Sequence, residues 1–395
     1  MEQFIFKRTQ RISVLKSLVF AWFVVFSFGQ LPAMFLEKYV NFPFNLHPLD
    51  LVTGLIFLVG LKNIGKDMLM RLFLIAIVLF GGSMIWFSVL SWNDFAIGFL
   101  YLVRIVSYLG LGVVVNRLYG QRVQNKILIY RSLILVSFAG LFFGWVQYFW
   151  FFDLISLKYF GWDDHLGRMT SVFLDPAFFG LILVFGMILL LARGKKLSKK
   201  LIVLLGFFLI GLGLTYSRAS FLGLLGGLGY LIVKMPRKLM IIFFLMLFVI
   251  LLPFLPHKTG EGVNLARTKS IILKVDNTKD GLEMVSRSPV FGLGMNNVCA
   301  LRKLVFPNNL LGSHSCGGYD NSFVFILATT GVVGFMIFIY EMRLILAEIS
   351  DDRFGLAFKA AIISLFIHAN FTNSIVYPWI LGYVVLLGAI SRKNS

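Results

Sequence analysis

Apolar runs long enough to cross a bilayer recur from one end of this chain to the other, and they leave few folds open. In hydrocarbon every backbone N–H and C=O must be satisfied within the structure, so only helices and closed barrels span. A barrel would show alternating segments of about ten residues. Here the runs are continuous, as in Leu181-Ile182-Leu183-Val184 and Ile241-Ile242-Phe243-Phe244. Twelve stand out, near 14–36, 47–61, 69–91, 95–116, 128–152, 171–192, 201–216, 219–233, 239–256, 322–341, 355–371 and 373–390. The chain is 58% hydrophobic and 14% charged, where soluble domains run about 45–50% apolar and about 25% charged. The reading is an all-α polytopic membrane protein with about twelve transmembrane helices. The second, seventh and eighth runs are short, so they are tilted neighbours or one is re-entrant against protein.

Charge sets the orientation, because Lys and Arg collect in cytoplasmic loops. With the N-terminus inside, 24 of the 37 Lys and Arg fall in inner segments, 12 in outer segments, and Arg104 within a span. Eight of the outer twelve sit in one long loop, 257–321, and long loops are discounted in this rule. Both termini are therefore expected in the cytoplasm. The same rule accounts for the net charge of +19, which in a soluble chain would point to nucleic acid; no nucleic-acid partner is expected. The N-terminal basic residues precede an apolar run reaching Phe35, too long for a signal peptide, so a retained first span is expected. The organisation is a bundle of about nine spans over 1–256, a large outer loop over 257–321 and three further spans over 322–395, integrated into one domain.

The outer loop carries its own pattern. Leu265, Ile272, Val275, Leu282 and Val285 repeat at helical spacing between Asn264 and Arg287. The spacing predicts an amphipathic helix lying on the membrane surface, with Arg267 and Lys274 on one polar stripe. Gly281 costs it about 1 kcal/mol, and Pro289 marks its end. Cys299 and Cys316, the only cysteines, both fall in this loop. An outer, oxidising location permits a disulfide between them; two free thiols are the alternative. Within the bundle, Gly223 and Gly227 form a Gly-x-x-x-Gly pair that predicts close helix packing.

Four arginines stand at the outer surface: Arg168, Arg218, Arg267 and Arg287. A span-flanking arginine ordinarily snorkels to the headgroups, yet Arg168 and Arg218 stand on the side the positive-inside rule disfavours. The guanidinium fork matches phosphate oxygens with paired hydrogen bonds. Such a cluster could bind a lipid diphosphate and stabilise charge as it leaves. Asp320-Asn321 lies where the loop re-enters the membrane, either as a helix N-cap or as a carboxylate that takes a proton from a sugar hydroxyl; His314 is the other candidate base. Asp175-Pro176 starts the sixth span as a cap or as a substrate-facing carboxylate. Arg104 lies within the fourth span, where charge is a functional candidate by its cost, unless it meets a helix carbonyl or snorkels. Asp163-Asp164 have no third ligand at metal spacing, so no metal is expected. No phosphate-binding Gly-rich loop or zinc spacing is present.

Three stretches taken together resemble the superfamily of O-antigen polymerases, the Wzy proteins, and O-antigen ligases. Arg168-Met169-Thr170-Ser171-Val172-Phe173-Leu174-Asp175-Pro176 is similar to the family's Arg followed by Gly-Thr-Phe-x-Asn-Pro. Thr215-Tyr216-Ser217-Arg218-Ala219 resembles its Thr-x-Ser-Arg-Gly/Ala. The third runs from Arg267 through Pro289-Val290-Phe291-Gly292-Leu293-Gly294 to Asn321-Ser322-Phe323 and Gly331-Val332-Val333-Gly334, similar to the large outer loop and the His-Asn-Ser-Phe…Gly-x-x-Gly beyond it. Asp320 stands where ligases carry a histidine, which favours the polymerase branch, and Asp175 replaces the usual asparagine. The resemblance implies a cofactor-free, metal-independent glycosyltransferase of the C type in the bacterial inner membrane, with its active site facing the periplasm. It implies substrates carried on undecaprenyl diphosphate, with a flippase and a chain-length regulator as partners besides membrane lipids. Arg168, Arg218, Arg267 and Arg287 would hold the diphosphate, Asp320 or His314 would serve the acceptor, and Asp175, Asn321 and Arg104 are further substrate-facing candidates. Ligation to lipid A core is the nearest alternative, and a lipid-linked-oligosaccharide flippase the alternative from another class.

Overall fold

The computed structural model describes residues 2–39, 46–152, 154, 165–193, 198–236, 238–256, 261–305 and 318–393. Among them, regular structure is helical, apart from one isolated bridge between Ile349 and Arg392. The helices are α1 (Glu2–Ser27), α2 (Leu31–Tyr39), α3 (Pro48–Gly60), α4 (Lys66–Ile85), α5 (Trp92–Tyr119), α6 (Val123–Trp150), α7 (Pro176–Ala192), α8 (Lys199–Leu214), α9 (Arg218–Lys234), α10 (Lys238–Leu251), α11 (Lys269–Arg287), α12 (Val298–Val305), α13 (Ser322–Glu348), α14 (Arg353–His368) and α15 (Pro378–Ser391). Each of the twelve apolar runs contains a helix. Among the described residues, five helices are long and apolar enough to cross a membrane: α4, α5, α6, α13 and the Gln10–Ser27 part of α1. Shorter apolar helices accompany them at Pro176–Ala192, Lys238–Phe254 and Pro378–Ser391. This is the make-up of a polytopic membrane protein.

The shortness of α7 follows from its place. Every side chain from Phe179 to Ala192 is buried, and α6, α8, α9, α14 and α15 pack around it. A helix covered by protein on all sides has no lipid thickness to match. The predicted Gly-x-x-x-Gly contact is made between α9 and α14. A Cβ on Gly227 would lie 2.1 Å from Ser364 Oγ, and that hydroxyl donates to Gly223 O at 2.8 Å.

The helix expected between Asn264 and Arg287 is α11, but it begins at Lys269, so Leu265 and Arg267 precede it and Arg267 shares no helical stripe with Lys274. Helix α11 buries Asn277, Gly281 and Met284 and leaves Ile272, Val275 and Leu282 exposed. Gly281, a cost to the isolated helix, is required by the packing: a Cβ there would lie 2.5 Å from Val324 Cγ1 of α13.

Below α11 the chain makes an interlocked joint. Helix α13 is broken at Gly331, whose φ of 64° and ψ of −171° are non-helical. The break removes the bonds that Val332 and Val333 would make to Ala328 and Thr329. Segment 288–294 takes their place. Leu293 N donates to Ala328 O at 2.8 Å and Gly294 N to Thr329 O at 2.9 Å, while Val332 N donates to Pro289 O at 2.8 Å and Val333 N to Val290 O at 3.2 Å. Orphaned backbone groups in an apolar setting are costly, and here all four are satisfied. Only glycine fits: a Cβ on Gly331 would lie 2.2 Å from Val290 O. The Pro289…Gly294 and Gly331…Gly334 stretches, forty residues apart in sequence, are thus two halves of one contact.

Candidate active site

Three of the four candidate arginines converge on one turn, Thr215-Tyr216-Ser217, between α8 and α9. Arg168 Nε donates to Thr215 O at 2.9 Å. Arg267 Nη2 donates to Tyr216 O at 3.3 Å, and its Nη1 to Gly262 O at 2.6 Å. Arg218, the first residue of α9, donates from Nη1 to Arg267 O at 2.9 Å and from Nη2 to Ser270 Oγ at 2.7 Å. The arginines therefore tie the turn to the segment that leads into α11. The partners of Arg218 are uncharged, so it keeps its full positive charge at a half-buried position.

The backbone here is held under strain. Among the described residues, the non-glycine positions with positive φ are His165, Ser171, Leu174, Tyr216 and Asn296. Such geometry is costly for bulky side chains and collects where surrounding structure fixes it for a purpose. Four of the five lie in or beside the Arg168–Pro176 stretch or the Thr215–Ala219 turn. Tyr216 is pinned at both ends, its side chain buried and its hydroxyl donating to Pro256 O.

One helical turn along α11 from Ser270, about 6 Å of rise, Lys274 Nζ lies 3.1 Å from Asp320 Oδ1. Asp320 is not the cap of α13. That role belongs to Asn321, whose side chain accepts from Phe323 N at 2.9 Å and Val324 N at 3.2 Å. Asn277 Oδ1 accepts from Asp320 N at 2.8 Å. Lys274 thus holds the carboxylate and Asn277 the backbone behind it, and at 38% side-chain exposure the carboxylate is open to a substrate.

Three helix N-termini meet at this end of the bundle: α7 capped by Asp175, α9 capped by Ser217 and α13 capped by Asn321. The α9 and α13 termini, with uncharged caps, keep the partial positive charge of a helix start, where anions bind favourably; at α7 the Asp175 carboxylate already takes that place. A buried hydroxyl ties α9 to α7, and another ties α13 to the α14–α15 connection. Ser220 Oγ donates to Ala177 O at 3.0 Å, and Ser322 Oγ accepts from Ser374 N at 2.9 Å.

The other sequence candidates lie elsewhere or act otherwise. Arg287 ends α11, about 26 Å along the helix from Ser270, and is exposed with Glu283 Oε1 at 4.0 Å. Asp175 is a cap: its Oδ1 accepts from Ala177 N at 2.6 Å and Phe178 N at 3.0 Å. Arg104 meets a carboxylate inside the bundle: its Nη2 lies 2.6 Å from Asp50 Oδ2 in α3, and Tyr108 donates to the same carboxylate. Cys299 is disulfide-bonded. His314, Cys316, Asp163 and Asp164 lie outside the described residues. Among the described residues no three His, Cys, Asp or Glu gather at metal-ligand spacing.

Two groups escaped the sequence reading. Asp50 stands inside an apolar run, and its cost there was the available signal. His368 has no local signal. It is fully buried at the end of α14, with Nδ1 2.6 Å from Ser374 Oγ and Nε2 3.1 Å from Ala177 O. A carbonyl only accepts, so Nε2 carries a proton. With both nitrogens engaged, His368 fixes the start of α7 against the α14–α15 connection.

A sequence model of the family described as O-antigen ligase matches residues 201–339. The matched stretch runs from α8 into α13 and contains Arg218, Arg267, Lys274 and Asp320. The match supports membership of the O-antigen ligase and polymerase superfamily, and with it an enzyme of the glycosyltransferase and ligase kind in lipopolysaccharide biosynthesis. A search of curated proteins finds none that matches.

Proposed function

We propose that this member of the superfamily polymerises oligosaccharide repeat units carried on undecaprenyl diphosphate, at the periplasmic face of the inner membrane. The observation that carries the reading is the meeting of Arg168, Arg218 and Arg267 on one strained turn at the start of α9, with Lys274, the partner of Asp320, one helical turn along α11 from the Ser270 that Arg218 contacts. That arrangement suits a diphosphate next to a carboxylate.

The hydroxyl oxygen of an acceptor unit attacks the anomeric carbon of the donor chain. The bond from that carbon to the diphosphate oxygen breaks, and undecaprenyl diphosphate leaves with the electron pair. Arg218 stabilises the growing negative charge, as preorganised donors do where charge develops. Asp320, oriented by Lys274 and Asn277, takes the hydroxyl proton; His314 is the alternative acceptor of that proton. Arg168 and Arg267 hold the turn that presents Arg218 and add to the local field.

The family match, described as O-antigen ligase, favours a second reading: the same chemistry with lipid A core as acceptor. Both are tested in the native host by expressing Arg218→Ala or Asp320→Ala at normal levels and resolving the surface polysaccharide on a gel. Collapse of the ladder to core plus one repeat unit is expected for a polymerase. Loss of every repeat unit from the core, with long chains stranded on undecaprenyl diphosphate, identifies a ligase. An unchanged ladder in both variants overturns both assignments.

A further inference from the structure

At the end of α8, just before the Thr215–Ser217 turn, lies a cavity of about 270 Å³. It is walled by Tyr148 of α6, Leu209 and Gly213 of α8, Phe248 and Leu251 of α10, and Leu255 just beyond. Its lining is almost wholly apolar, and at its rim Ile210 and Phe254 are 40% and 78% exposed, so it opens sideways, where lipid would lie.

The wall it shares with the arginine cluster is one short piece of chain. Gly213 and Leu214 line the groove. The next two carbonyls, Thr215 O and Tyr216 O, accept from Arg168 and Arg267. Tyr216 then closes the corner, its hydroxyl bonded to Pro256 O at the far lip of the groove. Apolar surface and fixed positive charge are thus separated by the thickness of a turn.

We propose that this groove holds the isoprenoid chain of the lipid diphosphate, taking the units nearest the phosphate. The inference rests on the reading of the arginine cluster as a diphosphate site. An isoprenoid diphosphate joins its apolar chain to the charged head through a single ester oxygen, which matches the short step from Leu214 to Arg218. A phospholipid places a glycerol and two ester carbonyls between phosphate and acyl chain, and the groove offers them little polar lining. Seating the first isoprene units fixes the diphosphate, and with it the anomeric carbon, at a set distance from Arg218.

The test uses the full-length protein in phospholipid nanodiscs with two photoreactive lipids. One is a polyprenyl diphosphate with a diazirine on the isoprene next to the phosphate; the other is phosphatidylglycerol with a diazirine on an acyl chain. Labelled peptides are identified by mass spectrometry. The expected result is labelling by the polyprenyl probe within 209–214 and 248–256, lowered about tenfold by excess unlabelled polyprenyl diphosphate. Ile210→Trp, at the lipid-facing rim where folding is spared, lowers the competable labelling by about tenfold, the effect of losing about two methylene burials. Competable labelling confined to other helices overturns the groove and leaves the diphosphate reading standing. Uncompeted labelling of the groove by both probes makes it ordinary annular lipid and overturns the proposal. No competable labelling anywhere removes the diphosphate reading, and the groove with it.

Discussion

Arg104 and Arg218 are both embedded among apolar helices, yet they meet opposite partners. Arg104 faces Asp50 at 2.6 Å with both side chains nearly buried. That pair is neutral as a unit and has little left to offer an anion. Arg218 donates to two carbonyls and a serine hydroxyl, which orient the guanidinium without cancelling its charge. The first arrangement holds helices α3 and α5 together; the second keeps a charge ready. Burial of an arginine therefore says less about function than the charge state of what it touches.

The comparison breaks most sharply at Asp50. Removing one partner of a buried ion pair costs about 3–5 kcal/mol, so Asp50→Ala is expected to lower thermal stability in detergent severely. The double variant Asp50→Leu with Arg104→Met should recover most of it, since apolar replacement of such a pair is often neutral or better. If the double variant folds well but makes no polymer, Arg104 has a role in chemistry. Arg218→Ala is expected to leave stability nearly intact and reduce turnover of lipid-linked substrate by about a hundredfold, the usual loss for one preorganised donor. Arg218→Lys should rescue little, because the ammonium lacks the planar fork. Gly331→Ala asks whether the cluster depends on the joint below it. A left-handed backbone costs a non-glycine residue about 1–2 kcal/mol before the clash with Val290 is counted, and both the unfolding midpoint and the activity should fall. The smallest effect is expected at Arg287→Ala, whose exposed pair with Glu283 contributes about 0–1 kcal/mol. Wild-type chain lengths there would bound the cluster to the near end of α11; a loss equal to that of Arg218→Ala would erase the boundary.

Much of this arrangement is written locally. Apolar runs name the helices because each must bury or immerse its own side chains, and α11 shows in the spacing of Ile272, Val275 and Leu282. The Thr215–Arg218 turn is legible as an arginine on the disfavoured side of a short hairpin. What the sequence hides is partnership. Nothing near Arg104 names Asp50, which stands 54 residues away. Asp320 and Asn321 are equally good caps on paper, and only the loop geometry gives the cap to Asn321 and turns the Asp320 carboxylate to Lys274. Arg287 has the same chemistry as Arg218, and a rigid helix places it at the wrong end. His368 sits in a run as apolar as its neighbours, and its meaning comes from Ala177 and Ser374, reached through the fold alone.

The joint between segment 288–294 and the broken α13 carries a consequence for how the chain is built. While the ribosome delivers α13 to the membrane, its residues 328–333 can stay helical only by forcing Gly331 into an ordinary turn. The native break is satisfied once segment 288–294 has folded back against it. Completion of α13 is therefore tied to a segment synthesised before it, and a chain truncated after α12 would leave the backbone of Pro289 and Val290 without its partners in α13. The joint is closed by a late clasp rather than by successive insertion of finished parts.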